Sequence, residues 1–110
     1  MTYADALQAL GDPTRRTIFE RLLERPRAVR ELADELPVTR PAVSQHLRVL
    51  KDAGLVTDRP SGSRRLYRVD PRGLEDLRTY VDGFWRQALG EFKAATERGP
   101  DEERKATVRR

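Results

Sequence analysis

The segment from Val38 to Val56 carries both ends of a helix in its own residues. Thr39 is placed to cap it, its hydroxyl accepting from an amide one turn in. Pro41 falls in the first turn, where a missing N–H costs nothing, and Gly54 supplies the left-handed residue that stops the helix. At 100° per residue, Val43, Leu47 and Leu50 form one narrow stripe that must be buried. Arg40, Ser44, Gln45, Arg48 and Lys51 project from the sides and back of that stripe, and Asp52 is the only carboxylate near them. An apolar back with Arg, Ser and Gln facing outward is what reading a DNA major groove requires. Any fold for this chain has to bury the stripe and leave the other face open.

The elements around this helix set how it is held. Tyr3–Leu10 reads as a short amphipathic helix with Tyr3, Ala6, Leu7 and Leu10 apolar, ended by Gly11. Asp12-Pro13 starts a second helix, cap then first helical position, with Ile18, Leu22, Phe19 and Leu23 toward a core and Arg15, Arg16 and Arg21 in water. Pro26 closes it. A third helix covers Val29–Leu36, with Val29, Leu32, Ala33 and Leu36 inward, and Leu36-Pro37-Val38 makes a tight break. A short helix, a brief turn and a capped longer helix form a helix-turn-helix. Beyond Gly54, Leu55–Arg59 and Arg64–Val69 are β-compatible and flank Pro60-Ser61-Gly62-Ser63, which predicts a hairpin. Arg59, Arg64, Arg65 and Arg68 cluster around its tip, as in the wing of a winged helix, and suit phosphate or narrow minor-groove contact.

Asp70-Pro71 opens the last helix, in which Leu74, Leu77, Val81, Phe84, Ala88, Leu89, Phe92 and Ala95 step by three and four to about Arg98. At ~1.5 Å per residue it runs roughly 37 Å, longer than the small body needs. With Trp85 beside Phe84, its apolar stripe is broad, and a partner helix is the natural cover. The sequence therefore predicts a homodimer built on both chain ends, through Tyr3, Leu7, Leu77, Val81, Phe84, Trp85, Ala88 and Phe92. Residues 1–98 form the expected binding and dimerisation domain, and 99–110 a charged, disordered tail. The fold class is mainly α with one small β-hairpin, a three-helix core plus wing.

Composition narrows the function. The chain has 110 residues, 36% charged, with a net charge of +4. Residues 1–37 are net −1, residues 38–73 net +5 and residues 74–110 neutral, so the excess sits on the capped helix and the hairpin after it. A localised basic field attracts polyanions. No apolar run approaches the ~20 residues of a membrane span, and the N-terminus lacks a secretory layout, so a cytoplasmic protein is expected. With no cysteine and one histidine, neither a thiolate site nor the usual metal cluster can be built, and no metal or cofactor is expected. Catalysis finds no support, because there is no phosphate-binding glycine loop and the sole histidine lies on the capped helix.

Three segments resemble the ArsR/SmtB family of bacterial winged-helix repressors. They are Leu10-Gly11-Asp12-Pro13-Thr14-Arg15-Arg16, then Arg40-Pro41-Ala42-Val43-Ser44-Gln45-His46-Leu47-Arg48-Val49-Leu50, then Arg65-Leu66-Tyr67-Arg68-Val69. In the family's order they span the chain to about Arg98, and the middle one is the most specific. The resemblance implies a homodimer that binds an inverted-repeat operator in double-stranded DNA and represses transcription, often of its own operon. By position it implies that Arg40, Ser44 and Gln45 face base edges. The family's metal sensors carry a thiolate pair before the recognition helix, where this chain has Ala28 and Arg30. Their second site uses His and carboxylates on the last helix, which here has no His; Asp70, Asp76, Asp82 and Glu91 remain, and carboxylates alone make a weak site for zinc-like ions. The chain is thus closer to the metal-independent branch, whose effectors are unrelated or unknown.

The expected DNA-binding set is Thr39, Arg40, Pro41, Ser44, Gln45, Arg48, Lys51, Arg64 and Arg65. Arg40 and Arg48 can each fork onto guanine, at ~1–3 kcal/mol of discrimination per bidentate pair, or hold a phosphate. Gln45 suits adenine, Ser44 permits close approach, and Lys51 suits a phosphate. His46 is expected to be a partly buried, hydrogen-bonded structural side chain. Phe84 and Trp85 are expected to pack rather than line an effector pocket. The alternative from another class is a winged helix that binds a protein and has dropped DNA, which calls for acidic or apolar residues on the face where Arg, Ser and Gln stand.

Overall fold

In the computed structural model, which describes residues 3–98, the chain runs through α1 (Tyr3–Gly11), α2 (Pro13–Glu24), α3 (Val29–Glu35), α4 (Arg40–Asp52), β1 (Val56–Ser61), β2 (Arg64–Val69) and α5 (Pro71–Glu97). Two compact units result, one ending at Arg78 and one beginning at Thr79. The segment 99–110, expected to be a disordered tail, and the side chain of Tyr3 lie outside the described residues.

The first unit is built around the stripe of α4. Val43, Leu47 and Leu50 are fully buried against Ile18, Phe19 and Leu22 of α2 and Leu32 of α3, with Leu55 and Val56 closing the layer toward the hairpin. Each such side chain contributes about 1.5–3 kcal/mol on leaving water. Leu23 is exposed, so α2 buries only the narrower stripe through Ile18, Phe19 and Leu22. In α1 the buried residues are Ala6 and Ala9, while Leu7 stays open. Small side chains let α1 lie close to its neighbours, and that moves its inner face away from Leu7. Leu77, on the first turns of α5, packs against the same core.

Helix ends follow the local chemistry. The Asp12 carboxylate accepts from the Arg15 amide at 2.9 Å, and Pro13 follows it in the first turn. The Thr39 hydroxyl accepts from the Ala42 amide at 3.3 Å. At the other end of α4, Gly54 adopts φ +78°, the Leu55 amide donates to the Leu50 carbonyl at 3.0 Å and the Gly54 amide to Lys51 at 2.9 Å. These two bonds make a Schellman cap. Gly73 of α5 lies directly over this cap, where a Cβ would come 1.9 Å from the Gly54 carbonyl oxygen.

The hairpin is tighter than its sequence suggests. Pairing runs from Val56–Val69 to Ser61–Arg64, leaving only Gly62 and Ser63 as the loop, with Gly62 at φ +64°. A two-residue hairpin turn needs a positive φ there. Pro60, expected in the tip, pairs instead with Arg65 inside the ladder. It is tolerated because β1 is an edge strand. The opposite edge of β2 is occupied by Arg27, whose amide donates to the Tyr67 carbonyl at 3.0 Å and whose carbonyl accepts from Tyr67 at 2.8 Å. One residue from the α2–α3 connection thus acts as a third strand.

That residue is also a buried cation. Arg27 is only 5% exposed. Its Nε donates to Glu35 at 2.6 Å, its guanidinium donates to the carbonyls of Arg21 and Arg25, and Glu24 stands 3.9 Å away. The bond from Arg27 holds the Glu35 carboxyl below its ordinary range. Arg15, expected to be in water, is partly buried and donates to the Ala9 carbonyl at 3.2 Å, tying α2 to α1.

In the second unit, α5 presents Val81, Phe84, Trp85, Leu89 and Phe92 to solvent, Trp85 and Phe92 at 65% and 69% exposure. Ala88 is exposed as well. Tyr80 meets Phe84 edge to face, ring centroids 4.6 Å apart.

Candidate nucleic-acid interface

Burying Val43, Leu47 and Leu50 inward fixes what α4 shows outward. Thr39, Arg40, Pro41, Ser44, Gln45, Arg48 and Lys51 are all exposed. The structure brings them together on one face, as their helical spacing requires. His46 sits off this face, half-buried, and no described residue offers a partner to its Nδ1. The half-burial is as expected, but at this nitrogen no hydrogen bond is made among the described residues.

A groove of about 580 Å³ opens between the start of α3, the start of α4 and the hairpin. Arg30, Arg40, Arg64 and Arg65 line it together with Ser44 and Tyr67. Four guanidiniums around one concavity favour an anion, and each can fork onto phosphate. Arg30 was legible in the sequence only as a residue standing where metal sensors have a thiolate. Its outward position follows from Val29, Leu32 and Ala33 turning inward on α3, and that periodicity was the available signal.

The two wing arginines are each held by a carboxylate, one on α3 and one on the neighbouring strand β1. Arg64 lies 3.5 Å from Glu31 of α3, which also takes Arg25 at 3.0 Å and accepts from the Ala28 amide at 3.1 Å. The Ala28 amide first, and Arg25 next, keep the Glu31 carboxyl below its usual range. Arg65 donates through Nε to Asp58 at 2.5 Å, and the same carboxylate receives Lys51 Nζ at 2.8 Å. The Asp58 side chain is 6% exposed, and Lys51 and then Arg65 hold its carboxyl well down. Sequence reading passed over Asp58, since a lone Asp in a β-compatible run gives no sign of its partners.

Three α-helices with the last two in a helix-turn-helix, then a hairpin wing beside the outward helix, define a winged helix-turn-helix DNA-binding regulator. A family profile described as "Bacterial regulatory protein, arsR family" matches residues 12–58, from the cap of α2 to β1. The HTH-type transcriptional regulator Rv2034 of Mycobacterium tuberculosis is 64% identical over 84 residues, covering 76% of this chain and 78% of that protein. A crystal structure of a possible transcriptional regulator for arsenical resistance superposes with a TM-score of 0.69 at 46% identity, over 82% of this chain and 94% of that one. The homodimeric winged helix-turn-helix domain of Mb0332 from Mycobacterium bovis, a possible ArsR-family regulator, superposes at 0.62 with 29% identity, over 78% and 80%. The chain belongs to the ArsR family of DNA-binding regulators, which are not enzymes. With no cysteine, it lacks the thiolate ligands of the family's metal sensors. Among the described residues, no three His, Asp or Glu gather as a metal site, and no helix is long and apolar enough to cross a membrane.

Proposed function

We propose that the protein is a homodimeric repressor that binds an inverted-repeat operator, including one in front of its own operon. The observation that carries this reading is the exposed face of α4, where Arg40, Ser44, Gln45, Arg48 and Lys51 stand with Asp52 at the far end as their one carboxylate, beside an arginine-lined groove. Arg40, Ser44 and Gln45 read base edges, Arg48 reads a base or holds a phosphate, and Thr39 and Pro41 set the approach of the helix N-terminus. Lys51, Arg64 and Arg65 flank them with positive charge. A dimer would set two copies of α4 in successive major grooves, about 34–36 Å apart. Bound across a promoter, it would exclude other proteins from that stretch. Support for the dimer comes from the exposed apolar residues Leu7 on α1 and Val81, Phe84, Trp85, Leu89 and Phe92 on α5. Such a patch is uncommon on a monomer, and the Mb0332 domain is itself described as homodimeric.

The test begins with selection of a duplex from a randomised pool by the purified protein. The selected sequence should contain an inverted repeat with half-sites one helical turn apart. Arg40→Ala should then lose about 1–3 kcal/mol of discrimination at one base pair of each half-site. Arg48→Ala should either relax a different position or weaken all sequences alike. A pool that yields no repeat, or an Arg40→Ala variant with unchanged preference, would contradict the reading. A reporter driven by the selected site should be silenced by the wild-type protein.

A further inference from the structure

Asp58 is the one acidic side chain of the described hairpin strands, and it stands amid the cations expected to contact DNA. Strand pleating puts Val56, Asp58, Arg65, Tyr67 and Val69 on one side of the hairpin, and Val56, Tyr67 and Val69 pack on the core. Asp58 therefore faces the body. There it meets Lys51 from the last turn of α4 at 2.8 Å and Arg65 from β2 at 2.5 Å. Its side chain is 6% exposed, against 52% for Lys51 and 53% for Arg65. An almost dry carboxylate thus joins two wet cations, one on the reading helix and one on the wing. A buried charge is tolerated when it is paired and hydrogen-bonded, and here both partners belong to the binding face.

Resting on the DNA-binding reading, we infer that Asp58 is a specificity-determining positioning residue, clamping the wing to the recognition helix through Arg65 and Lys51. Two consequences follow from the geometry. The wing's angle to α4 is fixed before DNA arrives, so flanking contacts are made only when α4 sits in its proper register. The carboxylate also cancels positive charge that would otherwise grip any phosphate, lowering affinity for unrelated sequence. Asp58 takes Arg65 through its Nε, and among the described residues the two terminal nitrogens make no further hydrogen bond.

The experiment compares wild type and Asp58→Asn on the selected duplex and on a scrambled duplex of equal length, across a salt series. The variant should bind the scrambled duplex several-fold more tightly and the selected one no better, lowering the specificity ratio about tenfold. Its salt slope on scrambled DNA should steepen by about 0.9 for each cation released per protomer. In the DNA-free protein, hydrogen exchange of the β2 amides should speed up by about tenfold. Unchanged exchange, or an unchanged specificity ratio in a folded variant, overturns the clamp. Should wild type bind neither duplex, the DNA reading fails and the inference falls with it, whatever the exchange shows. If Asp58→Asn does not fold, Arg65→Gln decides. The clamp predicts a lowered ratio with an unchanged slope on scrambled DNA, whereas a slope reduced by about 0.9 per protomer would make Arg65 a simple phosphate contact and refute the inference.

Discussion

Single side chains in this protein are held mainly by what their nearest backbone and charge partners allow. Arg27 has the most at stake, being buried, bonded to Glu35 and paired by its own backbone to Tyr67. Arg27→Ala should destabilise the fold by about 3–5 kcal/mol in urea unfolding, since it strips the main partner from Glu35 and frees the Arg21 and Arg25 carbonyls. The Glu35 carboxyl is depressed from an ordinary value of 4.5 by that same guanidinium. A depressed carboxyl contributes stability that is present above its unfolded value and lost as pH falls through the folded one. Stability should therefore decline on the acid side, below about pH 4.5, and Arg27→Met should flatten that decline when unfolding is followed at several pH values. Thr39→Ala, which removes only the cap of α4, should cost about 1 kcal/mol. Asp12, Thr39, Pro41 and Gly54 could all be placed from sequence because each acts within its own turn. Arg15, Arg27 and Asp58 could not, because their partners lie on other elements and charged side chains carry no periodic mark of burial.

At the scale of elements, the order of helices and strands was legible because apolar spacing and turn residues agree in every segment. The departures have physical causes. Pro60 reads as a loop residue, yet an edge strand needs no amide from it, so β1 extends and the tip shrinks to Gly62-Ser63. The bridge at Arg27 is one residue long, too short to leave a pattern. On α1 the apolar spacing names Tyr3, Ala6, Leu7 and Leu10 but not Ala9, which close packing buries beside Ala6, while Leu7, expected at a dimer surface, is exposed. The contact between α5 and the α4 cap depends on Gly73, where a Cβ would meet backbone rather than a movable side chain. Gly73→Ala should cost about 1–3 kcal/mol in thermal or urea unfolding, and Gly83→Ala, with open space around it, should stabilise α5 by a few tenths to about 1 kcal/mol. Equal effects at the two glycines would contradict the packing described.

For the whole molecule, charge and apolar surface are segregated along the chain. The basic excess lies between residues 38 and 73, and the largest exposed apolar side chains lie on α5. Phe84→Asp together with Phe92→Asp should halve the mass seen in sedimentation and abolish tight operator binding while leaving the first unit folded by circular dichroism. A dimer surviving both changes would move the partner surface elsewhere. Binding itself is the central matter, and its salt dependence reads it most directly. On the selected duplex, a dimer making about 6–10 phosphate contacts should lose ~10³–10⁵-fold in affinity between about 50 and 200 mM salt. A response that stays flat over that range would mean that the arginine-lined face is not where DNA binds.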